Sequence, residues 1–341
     1  ELPPNPFNPG SAVDPGYFVG RTQELESFRQ RLRQTAEGSL ASMSVAGGYG
    51  AGKTSFLHKC NSIAEDGGAL TIYFSLNEIE RVDKEGVARA LIERLQDKVA
   101  QEVILQKLAR SALEMVKQIT VGAKVGDGAS VSIGLGRGEK AREPTLHAAL
   151  IQAWETLKGK KKAIVFLIDE AAVLEKNKAE LLLYLRAVLE QLQLARVPVM
   201  IVPAGKFSIS RGPLGTGFSP LVRTFPPAVL ENFTKEESEL FIRKKLSGVG
   251  IEIDGSACKS AHEASEGHPY VLNAYLNSAY ASLRAGESMI TERHLKAVDV
   301  NFATVTLSQF FLRFYEGAGR MGRIILSKMA ESNGETSLSE L

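Results

Sequence analysis

Apolar residues recur along this chain at two spacings, and the switch from one to the other lays out its plan. Short runs of apolar, β-branched and aromatic residues at 41–46, 69–76, 163–170 and 197–205 read as buried strands. Between these runs, apolar positions return every three to four residues, the spacing of a helix with one buried face. Leu25, Phe28 and Leu32 mark the first such helix, with Thr22 as its N-cap. Residues 53–64 predict the second. The long stretch 85–117, with Val87, Leu91, Leu95 and Val99 on one face, predicts one or two more. Residues 144–157 and 176–194 complete the series. Strands alternating with helices predict an α/β fold built on a parallel sheet.

After Pro227 the pattern becomes helical throughout. Thr234-Lys235-Glu236-Glu237 is a capping box that opens a helix through Lys245. Further helices are expected after Asp254, from Pro269, over 292–300 behind Thr291, and over 320–331. Two stretches break the pattern. Residues 1–17, rich in Pro, Gly and Asn, read as an extended, irregular arm, and 121–138, with six glycines, as a hairpin insertion or mobile loop.

The sharpest chemical signal is Gly47-Gly48-Tyr49-Gly50-Ala51-Gly52-Lys53-Thr54, a match to G-x-x-x-x-G-K-[ST] set between a strand and a helix. Glycines allow backbone conformations in which several N–H groups point at one phosphate. Lys53 adds a mobile cation for the outer phosphates, and the Thr54 hydroxyl, followed by Ser55, offers an oxygen to Mg²⁺. The helix that begins here turns its positive end on the same anion. A second signal is the apolar run from Ala163 ending in Asp169-Glu170. In chain order a complete strand, 69–76, lies between the two signals.

Together these motifs resemble the Walker A and Walker B elements of additional-strand P-loop ATPases. Phe18-Val19-Gly20-Arg21 with Glu24, and Gly267-His268-Pro269, resemble segments of the AAA+ superfamily, in its STAND and origin-recognition-like branch. The resemblance covers about 18–300. It implies a parallel sheet sandwiched by helices over 18–227 and a small all-α lid over 228–302. A tail at 303–341 is similar to the start of a winged-helix domain, in which case the natural chain would continue past Leu341. ATP and Mg²⁺ are the implied cofactors, held by Gly48, Tyr49, Gly50, Ala51, Gly52, Lys53, Thr54 and Ser55, with Thr54 and Asp169 on the metal. Phe18, Val19, Gly20 and Pro269 are implied near the base, and Glu170 as general base. Two features depart from the pattern: Ala204-Gly205 ends the fourth strand run where relatives carry a polar sensor, and no arginine follows Pro269 at the sensor 2 position. Arg211 and Arg223 flank a Gly/Ser/Pro-rich loop from which relatives extend an arginine to a neighbour's nucleotide.

Composition narrows the partners. The 341 residues carry 41 basic and 39 acidic side chains, a net charge of +2, which is no electrostatic footprint for nucleic acid over the whole chain. Cys60 and Cys258 stand far apart among 5 scattered histidines, so a disulfide scaffold or zinc knuckle is not expected, and a reducing cytoplasm is. The longest apolar run is too short to span a membrane. Three readings stay open: an ATP-hydrolysing switch that oligomerises or engages a partner protein in its ATP state, a DNA-acting ATPase, and a nucleotide-gated scaffold with little turnover.

Overall fold

The computed structural model describes residues 2–121, 145–171, 179–205, 220–301, 312 and 315–331. Its contacts group into two units, one of Arg21–Tyr49 with Lys53–Leu230, the other of Glu1–Gly20, Gly50–Gly52 and Glu231–Leu341. The expected glycine-rich insertion, the loop around Arg211 and most of the winged-helix tail lie outside the described residues.

The first unit is a five-stranded, wholly parallel sheet in the order β2-β3-β4-β1-β5. Its strands are β1 (Ser44–Gly47), β2 (Leu70–Ser75), β3 (Ile164–Asp169), β4 (Val199–Gly205) and β5 (Pro227–Leu230). The helices are α1 (Thr22–Ala36), α2 (Lys53–Asp66), α3 (Lys84–Val121), α4 (Leu146–Leu157), α5 (Ala179–Leu194) and the short α6 (Pro220–Thr224). The side chains alternate as the strand period requires. Leu70, Ile72 and Phe74 of β2, Ile164, Phe166 and Ile168 of β3, and Val199 and Ile201 of β4 form one buried face with apolar residues of α3, α4 and α5. Each fully buried Leu or Phe there contributes about 1.5–3 kcal/mol. The opposite face packs against α1 and α2.

The sheet order is the one expected of the additional-strand division, and one expectation, the cap of α1, changes. The strand that separates β1 from β3 in the sheet is β4, whereas β2, which lies between them in the sequence, pairs on the outer side of β3. Sequence neighbours need not be sheet neighbours, because each helical crossover returns the chain to either side. Thr22 is the first residue of α1 and not its cap. Arg21 occupies the cap with φ 57°, and no side chain closes the helix end. The predicted face of α1 is buried as expected, at Leu25, Phe28 and Leu32. The long stretch after β2 folds as a single helix, α3.

β4 is a central strand that contains a proline. Ile201 N–H donates to the buried Ser42 hydroxyl, 3.0 Å away. Pro203, two residues on and therefore on the same edge of the strand, has no N–H to leave stranded. β4 pairs with β3 up to Pro203 and with β1 from Ala204.

The second unit contains α7 (Lys235–Ser247), α8 (Gly255–Ser265), α9 (Pro269–Ala281), α10 (Glu292–Asn301) and α11 (Arg320–Glu331). It is not all-α: β6 (Glu252–Ile253) and β7 (Met289–Ile290) form a two-stranded parallel ladder. Two residues per strand leave no periodicity for a sequence to show. The capping box is present, with Glu237 N–H donating to Thr234 Oγ1 at 3.2 Å and Thr234 N–H to Glu237 Oε2 at 3.0 Å. The N-terminal arm is irregular, as predicted, but packed. Phe7 is 1% exposed, with its ring against Phe241. Tyr280 Oη donates to Pro3 O at 3.0 Å, and Lys245 Nζ to Pro6 O at 3.2 Å.

Candidate nucleotide site

In the α/β unit the chain leaves β1 at Gly47 and enters α2 at Lys53. The Lys53 ammonium donates to the carbonyls of Gly48 (2.7 Å) and Gly47 (3.1 Å), so it lies over the loop's own backbone. A Cβ added at Gly48 or at Gly52 would meet no described heavy atom within 4 Å. A helix N-terminus with a cation beside it is the setting in which an anion is held.

One residue into α2, Thr54 Oγ1 donates to Asp169 Oδ2 at 2.7 Å. Asp169 ends β3 and is 3% exposed. Its carboxylate accepts two further hydrogen bonds: Oδ2 from Tyr73 Oη at 3.0 Å, and Oδ1 from the Glu170 N–H at 2.8 Å. Burial, with the Asp169 charge next, pushes the Tyr73 hydroxyl well above its ordinary range.

A hydroxyl and a carboxylate one hydrogen bond apart are hard oxygen ligands. They fit Mg²⁺, which takes one or two protein oxygens and completes its shell with water and phosphate oxygens. Among the described residues no three His, Cys, Asp or Glu side chains converge, so a closed, all-protein metal cage is absent there.

Glu170 follows with φ 52°, an uncommon conformation for a residue with a side chain. The next N–H, of Ala171, donates to Ala204 O at 2.8 Å and fixes that turn. Glu170 is thereby exposed while Asp169 stays buried. Backbone strain of this kind, held by its surroundings, gathers at functional sites. The neighbouring end of β4 is different: Pro203, Ala204 and Gly205 are buried and present no polar side chain. Arg223 is exposed in the last turn of α6. Ser55 is buried.

In the helical unit, Phe18 O accepts from Lys244 Nζ at 3.2 Å, Val19 is buried in the unit's core, and Gly20 lies against the Glu237 carboxylate. Gly50 O accepts the Tyr270 N–H at 3.2 Å. Gly50 has φ +75°, and a Cβ there would come within 2.6 Å of Tyr270 Cβ and 2.7 Å of His268 Cε1. Only glycine fits. Pro269, between those two residues, opens α9 behind the His268 side-chain cap, and Ala51 is buried. Thus the fold brings Gly50 and Pro269 together in one unit, and Thr54, Asp169 and Glu170 in the other. The residue that sequence reasoning missed is Tyr73. Strand alternation puts it on the α2 face, but only the β2–β3 register places it beside Asp169.

The sheet order with the glycine loop after β1 and the acidic pair after β3 defines a P-loop NTPase fold of the additional-strand kind. The family profile of the AAA ATPase domain matches residues 17–202, more than half of the chain. This chain belongs to that family. No curated protein sequence matches it. Among solved structures it is similar to the Walker-type ATPase PABY2304 of Pyrococcus abyssi. That match has a TM-score of 0.50 and 16% identity, over 90% of this chain and 80% of the other. The Holliday junction branch migration motor RuvB of Thermotoga maritima aligns at TM-score 0.49 and 18% identity, over 95% and 86%. Aeropyrum pernix ORC1, solved in complex with DNA, aligns at 0.49 and 16%, over 84% of this chain and 66% of that one.

Proposed function

We propose that this protein binds ATP with Mg²⁺ and hydrolyses it. It would act as a conformational switch of the STAND or origin-recognition-like kind that oligomerises or engages a partner protein in its ATP state. The observation that carries this reading is the Thr54 hydroxyl on the buried Asp169 carboxylate, beside a lysine-bearing glycine loop at a helix N-terminus. Lys53 leaves the Gly47 and Gly48 carbonyls for the outer phosphates, and Thr54 and Asp169 hold the metal. Magnesium, when bound there, would neutralise charge on the transferring phosphoryl group. Glu170, turned out of the sheet, orients and deprotonates the attacking water, since this chemistry depends mainly on positioning and charge stabilisation. The end of β4, apolar among the described residues, is the feature that keeps the gated scaffold with little turnover open beside this reading. An exposed Arg223 is available to a neighbouring subunit's nucleotide.

The test is mass by light scattering on Glu170→Gln with and without Mg-ATP, alongside ATP turnover by the wild type. A nucleotide-dependent multimer supports the switch. A monomer with ATP shown to be bound sinks it and leaves a gated scaffold. Duplex DNA binding that weakens steeply with salt would move the reading to a DNA-acting ATPase.

A further inference from the structure

Tyr73 stands two residues before Ser75, which pairs in register with Asp169. Residues two apart on a strand share a face, so Tyr73 lies on the same side of the sheet as Asp169 and diagonal to it. The ring packs edge-on against His58, with centroids 4.9 Å apart and an interplanar angle of 76°. His58 is one helical turn beyond Thr54 on α2, and therefore on the same helix face. The tyrosine is fixed at two points, its ring by α2 and its hydroxyl by Asp169 Oδ2 at 3.0 Å. The oxygen that receives it is the one that Thr54 reaches at 2.7 Å.

From this geometry we propose that Tyr73 is a positioning residue for the metal site. Its hydroxyl holds the Asp169 carboxylate in one rotamer, so that Oδ2 stays fixed when the Thr54 oxygen turns from donating to Asp169 to binding a cation. This rests on the nucleotide reading above. Without Tyr73, the carboxylate keeps the Glu170 N–H but loses its second donor to Oδ2 and turns more freely. Partners that orient a metal ligand in this way are commonly worth about 10–100-fold in metal affinity.

The experiment is a MgCl₂ titration of a fluorescent ADP analogue bound to the full chain, read as the Mg²⁺ concentration giving half of the metal-dependent tightening. Tyr73→Phe keeps the ring and removes the hydroxyl. It is expected to need about tenfold more Mg²⁺ or beyond, with ADP affinity in EDTA equal to wild type. In an Asp169→Asn background the same change is expected to add nothing, because the coupling runs through that carboxylate. His58→Ala, which frees the ring and spares the hydroxyl, is expected to shift the requirement less and in the same direction, and it carries the test should Tyr73→Phe fail to fold. An unchanged Mg²⁺ requirement in a folded Tyr73→Phe, or an equal shift with and without Asp169, overturns the Tyr73 assignment alone. A wild type whose nucleotide affinity ignores Mg²⁺ overturns the metal assignment to Thr54 and Asp169 and this inference with it, while a wild type that binds no nucleotide overturns the nucleotide reading itself.

Discussion

The α/β unit sets its polar side chains at the ends of strands whose other residues are buried; Asp169 follows five residues that are each no more than 1% exposed. The helical unit reaches its candidate site with main chain and shape: the Gly50 carbonyl on the Tyr270 N–H, a proline at a helix start, and Val19 in the core. A side chain at a strand end can be exchanged with little effect on the sheet behind it. A glycine or proline that sets a backbone turn cannot be exchanged without moving what it supports. Single substitutions should therefore separate the units, with chemistry lost from the first and stability from the second.

The largest effect is expected at Glu170. Glu170→Gln should lower ATP turnover about 10²–10⁴-fold, the usual contribution of a general base, with nucleotide affinity and melting temperature unchanged. A turnover assay beside a thermal melt checks this, and normal turnover would remove Glu170 from the reaction. Next comes Lys53→Ala, expected to weaken ATP binding about 100-fold through loss of a charged hydrogen-bonding partner worth about 3 kcal/mol. Tight binding by that variant would mean that the glycine loop is not the phosphate site.

In the helical unit the order of effects reverses. Gly267 has φ +69°, and a Cβ there would lie 2.1 Å from the Phe233 carbonyl oxygen. Gly267→Ala should cost more than about 1 kcal/mol of stability, measured by denaturant unfolding. Thr234→Ala removes one half of a capping box and should cost about 1 kcal/mol. A fall in turnover without a fall in stability in either variant would break the contrast between the units.

The smallest effect is one of pH. The Arg284 N–H, and then His294, hold the Glu287 carboxyl down from 4.5 to about 2. A carboxyl held low when folded contributes stability that is present above its unfolded value and is lost as pH falls through its folded one. Thermal melts should therefore drop as pH falls from about 4.5 to 2, and Glu287→Gln should flatten that part of the curve.

Much of the fold and of the candidate site is legible in the residues themselves. Lys53, Thr54, Asp169 and Glu170 announce themselves because phosphate and metal chemistry demands those residue types at fixed spacings, and four of the sheet's strands show as apolar runs. The fifth, Pro227–Leu230, is four residues long with Val229 exposed, too short and mixed to stand out. β6 and β7 are shorter still. The cap at Arg21 escapes notice because Thr22 is the better capping residue by type, yet the backbone turns left-handed at Gly20 and Arg21, one residue earlier.

Local chemistry alone determined the glycine loop, the acidic strand end and the capping box, since each is set by residues within a few positions of one another. Tertiary structure decided which strand separates β1 from β3, that the arm's Phe7 is a core residue, and that Tyr73 meets Asp169 across 96 positions of chain. These depend on sheet register and on which surfaces bury each other. Both are settled by the whole set of contacts competing at once, and no single stretch of sequence contains them.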